Sequence, residues 1–96
     1  MTHAIVLIEA ERQALSTLGG ALAEVPGVRE AYSVTGEWDF VCVVHVARHD
    51  DLADVITGHI GALPGVHRTQ TMVAFEAFSR HDLEAMFSIG ERPPAQ

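Results

Sequence analysis

Two short segments echo one another. "EVPGV" at residues 24–28 returns as "ALPGV" at residues 62–66. Each follows a stretch with apolar residues at three- and four-residue spacing, and each opens a β-branched run. Pro-Gly ends a helix, and the Val after it starts a strand. The chain therefore reads as β-α-β followed by β-α-β. Two such units in one sheet give the ferredoxin-like α+β arrangement, βαββαβ. It has a four-stranded antiparallel sheet with both helices on one face.

The elements follow from this frame. "HAIVLIE", residues 3–9, is a first strand. Residues 11–24 are a helix with Leu15, Leu18, Ala21, Leu22 and Val25 on its apolar stripe. Gly19-Gly20 weakens it by roughly 1 kcal/mol per Gly relative to Ala, unless the pair serves close packing on the sheet. Residues 28–35 form a second, more polar strand, and residues 40–46 a third. Asp50 or Asp51 caps a second helix, with Leu52, Val55, Ile56, His59 (or Ile60) and Leu63 as its stripe. Residues 66–78 are the fourth strand. Residues 1–78 thus form one domain. Residues 79–96 form a tail with a short helical stripe, Leu83, Met86 and Phe87, and a Pro-containing end expected to be mobile.

The strands do not alternate as a one-sided sheet requires. Ala4, Val6 and Ile8 share one face of the first strand, yet Ile5 and Leu7 on the other are equally apolar. Phe40, Cys42 and Val44 oppose Val41 and Val43 in the same way. An apolar face of this size is rare on a monomer. The expectation is a homodimer with facing sheets, a dimeric α/β barrel, or a larger ring. The alternative is that the tail folds back over its own sheet.

Charge narrows the partners. Thirteen acids face six bases, all Arg, for a net charge of −7. Nucleic-acid binding needs clustered positive charge, so direct contact with DNA or RNA is not expected. One cysteine, Cys42, permits no intrachain disulfide and fits a reducing, cytoplasmic setting. The N-terminus has no basic n-region or cleavage site. No apolar run approaches the roughly 18 residues of a membrane span.

"VTGEWDF" carries the most chemistry. Gly36 permits positive φ and close approach of a ligand to the backbone. Exposed amides beside it suit a carboxylate, and Asp39 suits an ammonium group. Trp38 offers a surface for an aliphatic side chain or an interface. A plain hairpin turn would also favour Gly and Asp. In "RTQTMVAF", Thr69 and Thr71 lie on one strand face and Gln70 and Met72 on the other. The hydroxyls can serve an ammonium or a carboxylate, although Thr is common in strands anyway. The six histidines have no helical HxxxH spacing and no Cys partner, so no metal or other cofactor is expected. His45 and His59 sit on apolar elements and read as core or interface residues. Cys42, among apolar neighbours, reads as an inert thiol. No catalytic group stands out.

The motifs helix-"VPGV"-strand, "VTGEWDF" at the hairpin, and helix-"LPGV"-"RTQTMV" occur in that order over residues 4–78. In this the chain resembles the effector-binding (RAM) domain of the Lrp/AsnC family. The resemblance implies sheet-paired dimers, often octamers, with amino-acid effectors between them, and so a protein that senses amino acids and regulates transcription rather than an enzyme. By position, it implies an effector site of Thr35, Gly36, Glu37, Trp38 and Asp39, with Thr69, Gln70 and Thr71 beside it. The family often has Tyr where this chain has Trp38, which alters the pocket's expected size. Full-length members carry an N-terminal helix-turn-helix domain. Here the first strand begins at His3, so the expectation is a stand-alone version acting through full-length relatives. A competing resemblance is to small ferredoxin-like monooxygenases, which would make His45, His59 and Trp38 the residues of interest. A third reading is a purely architectural oligomerisation domain.

Overall fold

The computed structural model describes residues 1–78. The tail, with Leu83, Met86 and Phe87, lies outside the described residues. The chain runs β1 (Thr2–Ala10), a 3-10 turn (Arg12–Ala14), α1 (Leu18–Ala23), β2 (Val28–Ser33) and β3 (Phe40–Val46). It continues through α2 (Asp51–Ala53), a π-helical segment (Asp54–Ile60) and β4 (Val66–Val73). The sheet order is β2-β3-β1-β4, and every neighbouring pair is antiparallel. This is the ferredoxin-like sheet expected from the doubled β-α-β pattern.

The core lies between the sheet and the helices. Ala4, Val6 and Ile8 of β1 and Phe40, Cys42, Val44 and Val46 of β3 are buried against Leu18, Leu22, Leu52, Val55 and Ile60. Removing such side chains from water is the main stabilising term of the fold. The two Pro-Gly turns are structurally equivalent. Gly27 and Gly65 have φ of 99° and 96°, a region open to Gly at little cost. The Gly27 carbonyl accepts from the His45 amide at 2.9 Å, and the Gly65 carbonyl accepts from Glu11 at 2.8 Å. Each turn thus ties its helix end to a neighbouring segment.

Both helices depart from the simple periodicity. The first is a 3-10 turn followed by a short helix rather than one helix over residues 11–24. A Cβ on Gly19 would lie 3.2 Å from the Phe40 ring, so the glycine lets α1 sit tightly on β3. In the second helix the wider π turn carries Ile60 inward and leaves His59 exposed. His59 is therefore not a core residue. Its Nδ1 lies 2.9 Å from the Asp54 carbonyl. β4 ends at Val73 rather than Phe78, because its ladder along β1 closes with the bond from the Ala74 amide to the His3 carbonyl.

The other sheet face has no cover among the described residues. Met72, Ile5 and Val43 form one row across it, and Gln70, Leu7, Val41 and Tyr32 the next. Ile5, Tyr32 and Met72 are exposed. At one end of this face the His3 and His45 rings stack, 3.9 Å apart and 4° from parallel. Arg29 Nη1 lies 3.2 Å from His45 Nδ1.

Candidate functional site

The β2–β3 loop is fastened at its base and open at its tip. The Val34 amide donates to the Asp39 carbonyl at 3.0 Å, closing the loop. The Asp39 amide donates to the Ile8 carbonyl at 2.9 Å. The Asp39 carboxylate accepts from the Ala10 amide at 2.8 Å, beside the register shift at Glu9/Ala10. Asp39 thus binds the loop to the end of β1 with its backbone and its side chain, and one of its carboxylate oxygens is occupied. At the tip, Gly36 has φ of 107° and nothing within 4 Å of where a Cβ would stand. Thr35, Gly36 and Glu37 are exposed, whereas Trp38 and Asp39 are half-buried.

Arg68 joins this loop to the sheet. Its guanidinium lies over the Trp38 ring, 4.3 Å from the centroid. Its Nε donates to Glu9 at 3.0 Å, and its Nη2 lies 3.7 Å from Glu37. Sequence reasoning gave Arg68 no role, although it opens the "RTQTMV" motif. The missing information was register: Glu9 and Arg68 are directly opposed across β1 and β4, a pairing visible only once the sheet is assembled.

Among the residues after it, Thr69 opposes Ile8 and Thr71 opposes Val6, so both lie on the helix side of β4. Thr69 is half-buried and Thr71 exposed. Gln70 opposes Leu7 on the bare face. The loop and the start of β4 are therefore brought together through Arg68, while Gln70 points away from the two threonines within one chain. His45, His59 and Trp38 are dispersed. His45 is on the bare face near the end of β3, His59 is in the helical layer, and Trp38 precedes β3. Among the described residues no three His, Cys, Asp or Glu side chains are grouped to hold a metal. Burial pushes the Cys42 thiol up to about 11, which leaves it protonated and unreactive at neutral pH.

The family described as Lrp/AsnC ligand binding domain matches residues 3–83. The chain belongs to that family. The crystal structure of TTHA0845 from Thermus thermophilus is 45% identical, with a TM-score of 0.78. That match covers 83% of this chain and 100% of the other. A feast or famine regulatory protein from M. tuberculosis, complexed with L-methionine, is 26% identical with a TM-score of 0.70, covering 82% of this chain and 53% of that one. The HTH-type transcriptional regulator PF0250 of Pyrococcus furiosus is 35% identical over 54 residues, which is 56% of this chain and 36% of the regulator. This Lrp/AsnC domain spans from about a third to about half of the length of the curated relatives it matches. Those relatives are transcriptional regulators. No helix among the described residues is long and apolar enough to cross a membrane.

Proposed function

We propose that this Lrp/AsnC domain is an amino-acid-sensing, self-assembling module that modulates transcription through partner regulators rather than by touching DNA. The observation that carries the reading is the β2–β3 loop. It is fixed at Asp39 by three hydrogen bonds and presents Thr35, Gly36 and Glu37 outward, with Trp38 half-buried beneath Arg68. A rigid base and an open tip suit a small-molecule site. The L-methionine bound to the M. tuberculosis relative supports an amino acid as effector. Thr69, Gln70 and Thr71 supply further polar lining, and their split across the two faces of β4 fits a pocket completed by a neighbouring copy.

Assembly rests on the bare sheet face. Rows of Ile5, Val43 and Met72 and of Leu7, Val41 and Tyr32 match what sheet-on-sheet packing buries. A second copy presenting the same face forms a two-fold dimer, from which octamers can be built. The net charge of −7 favours an indirect route to DNA, through full-length relatives joined at shared interfaces.

The test is a thermal-shift screen against the twenty common amino acids at millimolar concentration, with mass measured by light scattering. A ligand at about 100 times its dissociation constant stabilises the folded state by roughly 2.7 kcal/mol. A selective shift from one or a few amino acids is expected, on a species of at least two chains. A monomer that responds to none would overturn the reading.

A further inference from the structure

Arg68 makes two close contacts and one longer one. Its Nε donates to Glu9 at 3.0 Å, and its plane rests on Trp38 at 4.3 Å. These two contacts orient the guanidinium before any ligand arrives. The third contact, Nη2 to Glu37 at 3.7 Å, is longer than the roughly 2.7–3.2 Å of an N–H···O bond. It is an ion pair without a hydrogen bond. The Glu37 side chain is 75% exposed and lies on the loop tip, so solvent screens the attraction and the pair opens easily.

We propose that a zwitterionic effector inserts into the Arg68–Glu37 pair, its carboxylate on the Nη edge of Arg68 and its ammonium on Glu37. This rests on the amino-acid-sensing reading above and names the residues that recognise the two charges. With Nε engaged by Glu9, the two Nη groups remain, and together they present the parallel donors that a carboxylate accepts. Glu37, released from Arg68, keeps a cationic partner in the ammonium group. One weak pair is replaced by two hydrogen-bonded ones, with no net change in charge at the site.

The arrangement also rejects partial mimics. A simple carboxylic acid would leave Glu37 facing a second carboxylate. A simple amine would compete for Glu37 and leave the Nη groups unmatched. Discrimination thus comes from repulsion as well as attraction. Trp38 contributes by stacking on the guanidinium plane, and Glu37, exposed on the loop tip beside Gly36, has room to turn.

The experiment is calorimetric titration of the full chain with each amino acid active in the thermal-shift screen, then with its primary amide and its N-acetyl form. The unaltered chain is expected to bind the free amino acid about tenfold or more tightly than either derivative. Arg68→Gln should no longer distinguish acid from amide. Glu37→Gln should no longer distinguish amine from N-acetyl. Arg68→Lys, which keeps the charge but not the fork, should fall between. Circular dichroism and light scattering check that each variant keeps its fold and assembly. If the unaltered chain binds amino acids and all three variants keep its affinity and discrimination, the pair is not the reader and the inference falls while the sensing reading stands. If the unaltered chain binds no amino acid, both fall.

Discussion

Replacing Gly65 by Ala tests the packing of the second Pro-Gly turn. Gly27, Gly36 and Gly65 all have φ near 100°, so Ala at any of them carries backbone strain of about 1–3 kcal/mol. Their surroundings differ. A Cβ at Gly36 meets nothing within 4 Å, one at Gly27 lies 2.9 Å from Val55 Cγ2, and one at Gly65 overlaps the Ala14 Cβ outright. Ala14 has no side chain to swing aside, so relief requires a shift of main chain. Overpacking of this kind adds about 1–3 kcal/mol. Gly36→Ala should therefore cost about 1–3 kcal/mol, and Gly65→Ala about 2–6 kcal/mol. A domain of this size has roughly 5–15 kcal/mol in all. Urea titration at fixed protein concentration reads the difference as a midpoint about 1 M lower for Gly65→Ala than for Gly36→Ala at unchanged slope. The variant Ala14→Gly/Gly65→Ala removes the overlapping atom and should recover the steric part alone. Equal costs at positions 36 and 65, or no recovery in the double variant, would refute the reasoning.

Three further outcomes are expected. Stability should decline as pH falls below the ordinary His range: burial, then His3 and Arg29, hold the His45 pKa down against the opposing pull of Glu30, so the folded state binds fewer protons than the unfolded one there. His45→Gln should flatten that decline in denaturant titrations from pH 7.5 to 5, a range of roughly one unit or more either side of the free His value. The Cys42 thiol should stay unmodified by a thiol reagent at pH 8 in the folded protein and react fully in denaturant, since it is buried and its pKa is about 11. Asp39→Ala should lower the midpoint of thermal unfolding even without ligand, because the Ala10 amide loses a charged acceptor at 2.8 Å, worth about 1.5–3 kcal/mol.

The elements most legible in the sequence were those whose signal is local. β3 runs Phe40–Val46 as its apolar run indicated, and the Pro-Gly turns fall where Pro and Gly dictate. The two-sided apolarity of β1 and β3 placed Ala4, Val6 and Ile8 against Ile5 and Leu7 correctly. The helices were harder, since their form is set by what they cover. Val55 and Ile60 are buried five residues apart, a spacing the α-period of 3.6 does not express. In the candidate site, Gly, Trp and Asp in one turn were enough to nominate the loop. The engagement of Asp39 with Ala10 could not, for it joins positions 29 apart. Arg68 was missed for the same reason, its Glu9 partner lying 59 residues away.

The two-sided apolarity of β1 and β3 has a consequence for how the sheet finds its alignment. In a one-sided sheet, sliding a strand by one residue turns polar groups into the core, and that penalty selects the register. Here a slip of β1 against β3 would exchange Val6 and Ile8 for Ile5 and Leu7, one set of aliphatic groups for another. The central pair is therefore weakly policed by its own hydrophobic pattern. Alignment falls to polar contacts at its two ends: the stacked His3 and His45 at one, and the Asp39 carboxylate on the Ala10 amide at the other. These contacts act as dowels, and the loop carrying Glu37 and Trp38 hangs from the second.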